Sequence, residues 1–69
     1  MDRHVFEVRL RGRLGRAALQ AFAGLDVEVE PTTTVLIGVL DKGELHALLD
    51  RVQSLGLELL DITSDPVDQ

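Results

Sequence analysis

The segment Arg11-Gly12-Arg13-Leu14-Gly15-Arg16 has residue types and spacing suited to holding an anion. Glycines in a loop leave backbone N–H groups accessible, and this loop leads into a predicted helix whose first turn carries partial positive charge. Guanidinium groups bind phosphate and carboxylate with two parallel hydrogen bonds. The segment therefore predicts an anion site, with an ordinary glycine-containing turn as the alternative. The site residues are Arg11, Gly12, Arg13, Gly15 and Arg16.

The composition offers little for other chemistry. The chain has no Cys, so it has neither a disulfide nor a thiol nucleophile. His4 and His46 are its only histidines, too few for a structural zinc site. No nucleophile lies beside a base in the sequence. We expect no catalytic residue, no metal and no cofactor.

The charge is acidic overall and unevenly distributed. The formal net charge is −5, which opposes nucleic-acid binding. Up to Arg16 there are five arginines and two acids, a charge of +3; after it there are two bases and ten acids, a charge of −8. RNA-recognition modules of similar topology stack bases on aromatic side chains. The only aromatic residues here are Phe6 and Phe22, and both are predicted to lie in the core.

The chain of 69 residues is predicted to be one domain, residues 1–69. It has no run of about 18 apolar residues that could cross a bilayer. Its first residues, Met1 to His4, lack the apolar stretch of a signal peptide. These features predict a soluble, cytoplasmic protein without membrane contact.

The first half of the chain predicts a strand, a helix and a strand. Residues 4–11 alternate, with Phe6 and Val8 on the apolar side, which is typical of a strand packed on one face. Residues 14–23 carry an apolar stripe at helical spacing, which Gly24 ends. Residues 26–30 alternate again, and their three acids suit an edge strand.

The second half repeats the strand, helix and strand order. Thr34–Leu40 is continuously apolar, which favours a central strand. Asp41 and Glu44 have capping-box spacing before a helical stripe that Gly56 ends. A last strand is predicted over residues 57–63, with residues 64–69 as a flexible tail. Either of two pairs can face the core in this strand: Leu57 and Leu59, or Leu60 and Ile62.

This order predicts an α+β fold, the ferredoxin-like βαββαβ sandwich. It has a four-stranded antiparallel sheet in the order 4-1-3-2, with two helices on one face. We expect the first and third strands to lie at the centre and to run parallel to each other.

The sheet face without helix cover, here called the open face, is the predicted interface. Its third strand exposes either Leu36 and Leu40 or the set Val35, Ile37 and Val39. Monomers seldom leave such an apolar patch uncovered, so we expect a homodimer through this face. Arg9 and Arg11 are expected to pair with acids on a neighbouring strand or on the partner. The predicted interface residues are Val5, Arg9, Leu36, Leu40, Glu28 and Glu30.

The residues from Gly38 to Leu60, together with the segment Arg11 to Leu14, resemble small uncharacterised proteins of actinobacterial type. The overall pattern is similar to ACT-type regulatory modules. That resemblance implies subunits that pair through sheets or helices and bind small ligands between them. It also implies that Gly12 or Gly15 corresponds to the glycine that these modules have between the first strand and the first helix.

The sequence favours a non-enzymatic, self-associating interaction or regulatory module that uses its open face. The alternative is a small-molecule or anion-binding domain, ACT-like, or a small dimeric α+β barrel-type enzyme with a pocket between sheet and helices. A deep interior pocket that contains His4 or Arg9 would favour this alternative.

Overall fold

A computed structural model describes residues 3–67. The fold is α+β, with a four-stranded antiparallel sheet and two helices. In this part of the chain no helix is long and apolar enough to cross a membrane. The elements, in chain order, are β1 (His4–Arg11), α1 (Arg16–Gln20), β2 (Asp26–Val29), β3 (Thr33–Leu40), α2 (Lys42–Ser54) and β4 (Leu59–Pro66).

The strands follow the order β2-β3-β1-β4 across the sheet. The expected order 4-1-3-2 names the same neighbours, counted from the opposite edge. β3 pairs with β1 on one side and β2 on the other, so Thr34–Leu40 is central as predicted. The expected parallel pairing of the first and third strands is wrong, because β1 and β3 are antiparallel. The β2–β3 hairpin reverses the chain, closed by the Glu30 N–H donating to the Thr33 carbonyl over 2.8 Å.

The hydrophobic core lies between the sheet and the helical segments. Val8, Leu10 and Leu36 contribute from the two central strands. Phe22, just after α1, packs into the same cluster as Leu48 and Val52 of α2. Both helical segments therefore cover the same face of the sheet.

The start of α2 has the predicted capping box. The Asp41 carboxylate accepts from the Glu44 N–H at 2.7 Å, and the Glu44 carboxylate accepts from the Asp41 N–H at 3.0 Å. Such a cap stabilises a helix by about 1 kcal/mol. Gly56, with a φ of 72°, follows the end of the helix as predicted.

The first helix is shorter than the predicted 14–23. α1 spans five residues, and turns follow it up to Gly24, whose φ is 94°. Gly15 at the N-cap supplies no side-chain hydrogen bond, and the first turn has no acid. The apolar stripe persists because Phe22 and Leu25, in and after the turns, still pack on the core.

The last strand runs further than predicted. It covers Leu59–Pro66, so the expected tail is wrong at residues 64–66, which pair with β1; residues 68–69 lie outside the described part. A register shift opposite Arg9 and Leu10 interrupts the alternation. One residue of each predicted pair, Leu57 and Ile62, therefore packs against the core.

Gly38 of β3 leaves room for a neighbouring side chain. A Cβ built at Gly38 would collide with the Leu25 Cδ2 atom. We expect Gly38→Ala to lower the free energy of unfolding by about 1 kcal/mol, because the end of the half-buried Leu25 side chain must move aside. Urea denaturation measures this change.

Gly15→Ala is the matched control. No atom of residues 3–67 lies within 4 Å of a Cβ at Gly15, and its φ of −76° suits any residue. Its effect should stay within about 0.5 kcal/mol. Equal losses at both positions would show that the contact with Leu25 has no special cost.

Candidate functional site

The segment Arg11–Arg16, predicted as an anion site, is hydrogen-bonded to the start of β3. The Thr34 side chain is fully buried; its hydroxyl donates to the Gly12 carbonyl at 2.8 Å and accepts from the Leu14 N–H at 3.3 Å. The Gly12 N–H donates to the Thr32 carbonyl at 2.7 Å, and Gly12 has a φ of 90°. The Arg11 N–H also donates to the Glu58 carbonyl at 2.9 Å, so three N–H groups of the segment Arg11–Arg16 are already used within the protein.

The arginines of this loop differ in their surroundings. Arg11 pairs with Glu58, with 3.1 Å between Nε and Oε1. Arg13 and Arg16 are exposed and have no carboxylate within 4.0 Å among residues 3–67. The anion site stays a prediction, and the cationic groups left to form it are those of Arg13 and Arg16.

The register between β1 and β3 decides which residues lie on the open face. Leu36 is opposite Val8 and Leu40 is opposite His4, so both leucines lie on the helix-covered side. Leu36 is a core residue. Including Leu36 and Leu40 in the interface was therefore wrong. The open face carries the other predicted set, Val35, Ile37 and Val39, beside Val5, Glu7 and Arg9 of β1.

The centre of the open face is already covered by the chain's own residues. Val35 is only 2% exposed although it lies outside the main core cluster. Its cross-strand neighbour on β1, Arg9, makes two ion pairs. One is with Glu30, just after β2, at 3.5 Å, and the other is with Asp61 of β4 at 3.9 Å. In the register Val35 lies between Arg9 of β1 and Glu28 of β2, and the aliphatic parts of these two long side chains account for its burial. The expected apolar patch is correspondingly smaller.

The apolar part of the open face that water still reaches lies toward the start of β1. Val39 is 46% exposed, and its cross-strand neighbour Val5 is half-buried. Ile37, opposite Glu7, is also half-buried. This end of the face thus combines accessible valines with carboxylates.

The open face carries a large excess of acidic groups. Among residues 3–67 the face has seven carboxylates and two arginines, a formal charge of −5; this count includes Glu30 and Glu58, which lie just outside the strands and pair with Arg9 and Arg11. This equals the formal net charge of the whole chain, −5. The carboxylates are those of Glu7, Asp26, Glu28, Glu30, Glu58, Asp61 and Asp65.

Four of these acids have no basic partner among the residues that the structure describes. Glu7, Asp26, Glu28 and Asp65 have no arginine, lysine or histidine nitrogen within 4.0 Å there. Three of the four are exposed and Glu7 is half-buried. They lie on three different strands, so a partner that covers the face would meet them together.

Sequence reasoning identified only part of this surface. Glu28 and Glu30 were predicted from the alternation in residues 26–30, which also places Asp26 on this side. The alternation in residues 4–11 places Glu7 there. Asp65 was missed because its position was assigned to the flexible tail. Its place opposite Val5 follows from the length of β4, for which the local sequence has no clear signal.

The model of a family described as a domain of unknown function (DUF8691) matches residues 5–63. The match takes in both helices and all four strands, apart from the first residue of β1 and the last three of β4. No match was found among curated proteins or among solved structures.

Removal of the Thr34 hydroxyl tests how firmly the loop is held. Thr34→Val leaves the Leu14 N–H and the Gly12 carbonyl without their partner, and it should cost about 1 to 3 kcal/mol in unfolding free energy. The control Thr32→Val, at an exposed side chain, should change stability by less than about 0.5 kcal/mol. A neutral Thr34→Val would contradict the role of these two hydrogen bonds.

Two valines of the same strand and face test the cover over Val35. Val35→Ala should cost about 2 kcal/mol, because two buried methyl groups and their packing are lost. Val39→Ala, at a position that is 46% exposed, should cost less than about 1 kcal/mol. Chemical denaturation of both variants gives the comparison, and a larger cost at Val39 would show that Val35 is not the covered residue.

Proposed function

The chain belongs to the DUF8691 family, and we propose that it is a non-enzymatic interaction module of ferredoxin-like topology whose open face docks a positively charged protein segment. The observation that carries the proposal is the charge of −5 on that face, next to the accessible Val39. A carboxylate-rich surface with an apolar patch suits a segment that alternates basic and apolar residues.

The ferredoxin-like topology is supported by the order of elements. The chain alternates strand, helix and strand twice, and the first and third strands are the inner ones. Both helical segments pack on one face of the antiparallel sheet. This arrangement corresponds to the split βαβ pattern and leaves the other face for a partner.

The four unpaired acids favour a basic partner. Opposite charge raises the rate of association and disfavours partners of the wrong sign. Charge alone gives weak and salt-sensitive binding, so a stable complex also needs apolar contact. Val5, Ile37 and Val39 can supply that contact at the same end of the face.

The same charges work against the expected face-to-face homodimer. Two copies would bring together two faces of −5 each. Among the described residues of the face, the cations that could offset this repulsion are Arg9 and Arg11, and both already pair with acids of their own chain. We therefore propose a basic segment rather than a second copy as the occupant, and the homodimer becomes an outcome of the test.

The test uses the full chain and a labelled peptide of alternating lysine and valine. Fluorescence anisotropy should detect binding that weakens as salt is raised, while a peptide of alternating glutamate and valine should not bind. Amide NMR should show shifts at Val5, Glu7, Ile37 and Val39. Binding of both peptides alike would contradict a role for the charge.

A matched pair of variants locates the site. Asp26→Asn removes one charge from the open face and should weaken binding of the lysine peptide about twofold to fivefold, the range for an exposed charge pair. Asp50→Asn removes the same charge from the exposed surface of α2 and should have no effect. Equal effects would indicate non-specific attraction.

Sedimentation tests the homodimer. A dimer that is stabilised by salt and weakened by Val39→Asp would favour self-association instead of docking of a basic segment.

A further inference from the structure

A groove opens on the helix-covered side of the sheet, next to the start of α2. Its volume is about 680 Å³. His4 and Phe6 of β1, Ser64 of β4 and Leu45 of α2 line it. Sites for small molecules have volumes of about 300 to 1,000 Å³ and are mostly apolar with a few polar groups. This groove has both properties.

Phe6 faces the groove instead of the core. Its predicted core position is wrong: Phe6 is half-buried and does not belong to the described core cluster. On the β4 side the residue opposite Phe6 is Ser64, which is small and also lines the groove, whereas on the β3 side Leu25 occupies the space above Gly38. The His4 ring lies 6.0 Å from the Phe6 ring with an angle of 55° between them. Two aromatic rings therefore border one groove.

The groove offers a lysine and a hydroxyl that an anion could contact. The Asp41 carboxylate caps α2 through the Glu44 N–H, at 2.7 Å, and lies 3.9 Å from the Arg3 guanidinium. The Lys42 side chain has no carboxylate within 4.0 Å in the described residues. The Ser64 hydroxyl has no hydrogen-bond partner among the same residues. A cation and a hydroxyl thus stay free while the acid is engaged.

We propose that this groove binds a small aromatic carboxylate. The ring of the ligand packs against His4, Phe6 and Leu45, and its carboxylate is directed toward Lys42 and Ser64. Aromatic rings favour tilted or offset contacts of the kind that His4 and Phe6 already make with each other. The groove and the open face lie on opposite sides of the sheet, so this site is independent of the proposed docking of a basic segment.

Phenylacetate is the probe, titrated into the full chain and followed by amide NMR. We expect saturable shifts at His4, Phe6, Gly43 and Ser64. Benzyl alcohol, which keeps the ring but has no charge, and cyclohexylacetate, which keeps the charge but has no aromatic ring, should each bind more weakly. Phenethylamine, a cation, should bind weakest. Equal binding of phenethylamine and phenylacetate, or no saturable shift with phenylacetate at tens of millimolar, would overturn the proposal.

Variants separate the contribution of the Lys42 charge from that of the apolar contact with Phe6. Lys42→Gln should weaken phenylacetate by up to about fivefold and leave benzyl alcohol unchanged, because only a charge is removed. Phe6→Leu should weaken both ligands. Arg13→Gln, which removes a cation outside the groove, should change neither; an equal loss with this control would refute the site. Ser64→Leu, at an exposed position, fills the groove and should abolish binding in a chain whose NMR spectrum stays that of the folded protein.

Discussion

The register between β1 and β3 is the constraint on which the rest of the structure depends. It pairs Val8 with Leu36 and Arg9 with Val35. Successive side chains of a strand point to opposite faces, so a shift by one residue would exchange the core and the open face completely. The burial of Val8 and Leu36 under the helical segments stabilises the observed register, because the shifted one would bury Arg9 in their place.

The same register explains how the sheet face without helix cover shields part of its apolar surface from water. Arg9 cannot be buried among apolar groups, but beside Val35 its stem covers the valine while its guanidinium stays solvated. The ion pairs of Arg9 have weak energies at such exposure; the one with Glu30 directs the guanidinium across β3, and the one with Asp61 lies on the β4 side. At the Val35 end of the face, Arg9 both covers an apolar side chain and pairs with acids. At the other end, Val5 and Val39 stay accessible beside acids that have no basic partner in the described residues.

The sequence predicted best where a signal is local and periodic. α2 has a capping box and a long apolar stripe, and β1 alternates cleanly, so both were confirmed. The facing of β3 could not be predicted, because a continuous apolar strand has no alternation and Leu36 and Val35 look alike in it. The facing of β4 was hidden by its register shift, which depends on pairing with β1. The inward direction of Phe6 was correct, but its place beside the groove depends on Ser64, which is distant in sequence.

The glycine in β3 connects the core with the groove. Without a side chain at Gly38, Leu25 can approach the sheet closely there. Val8 and Leu10 supply the β1 part of the core, whereas His4 and Phe6, earlier in the strand, line the groove. The groove is therefore the place where the core ends, and the identity of the residues beside it, two aromatic rings and a free lysine, determines which molecules it suits.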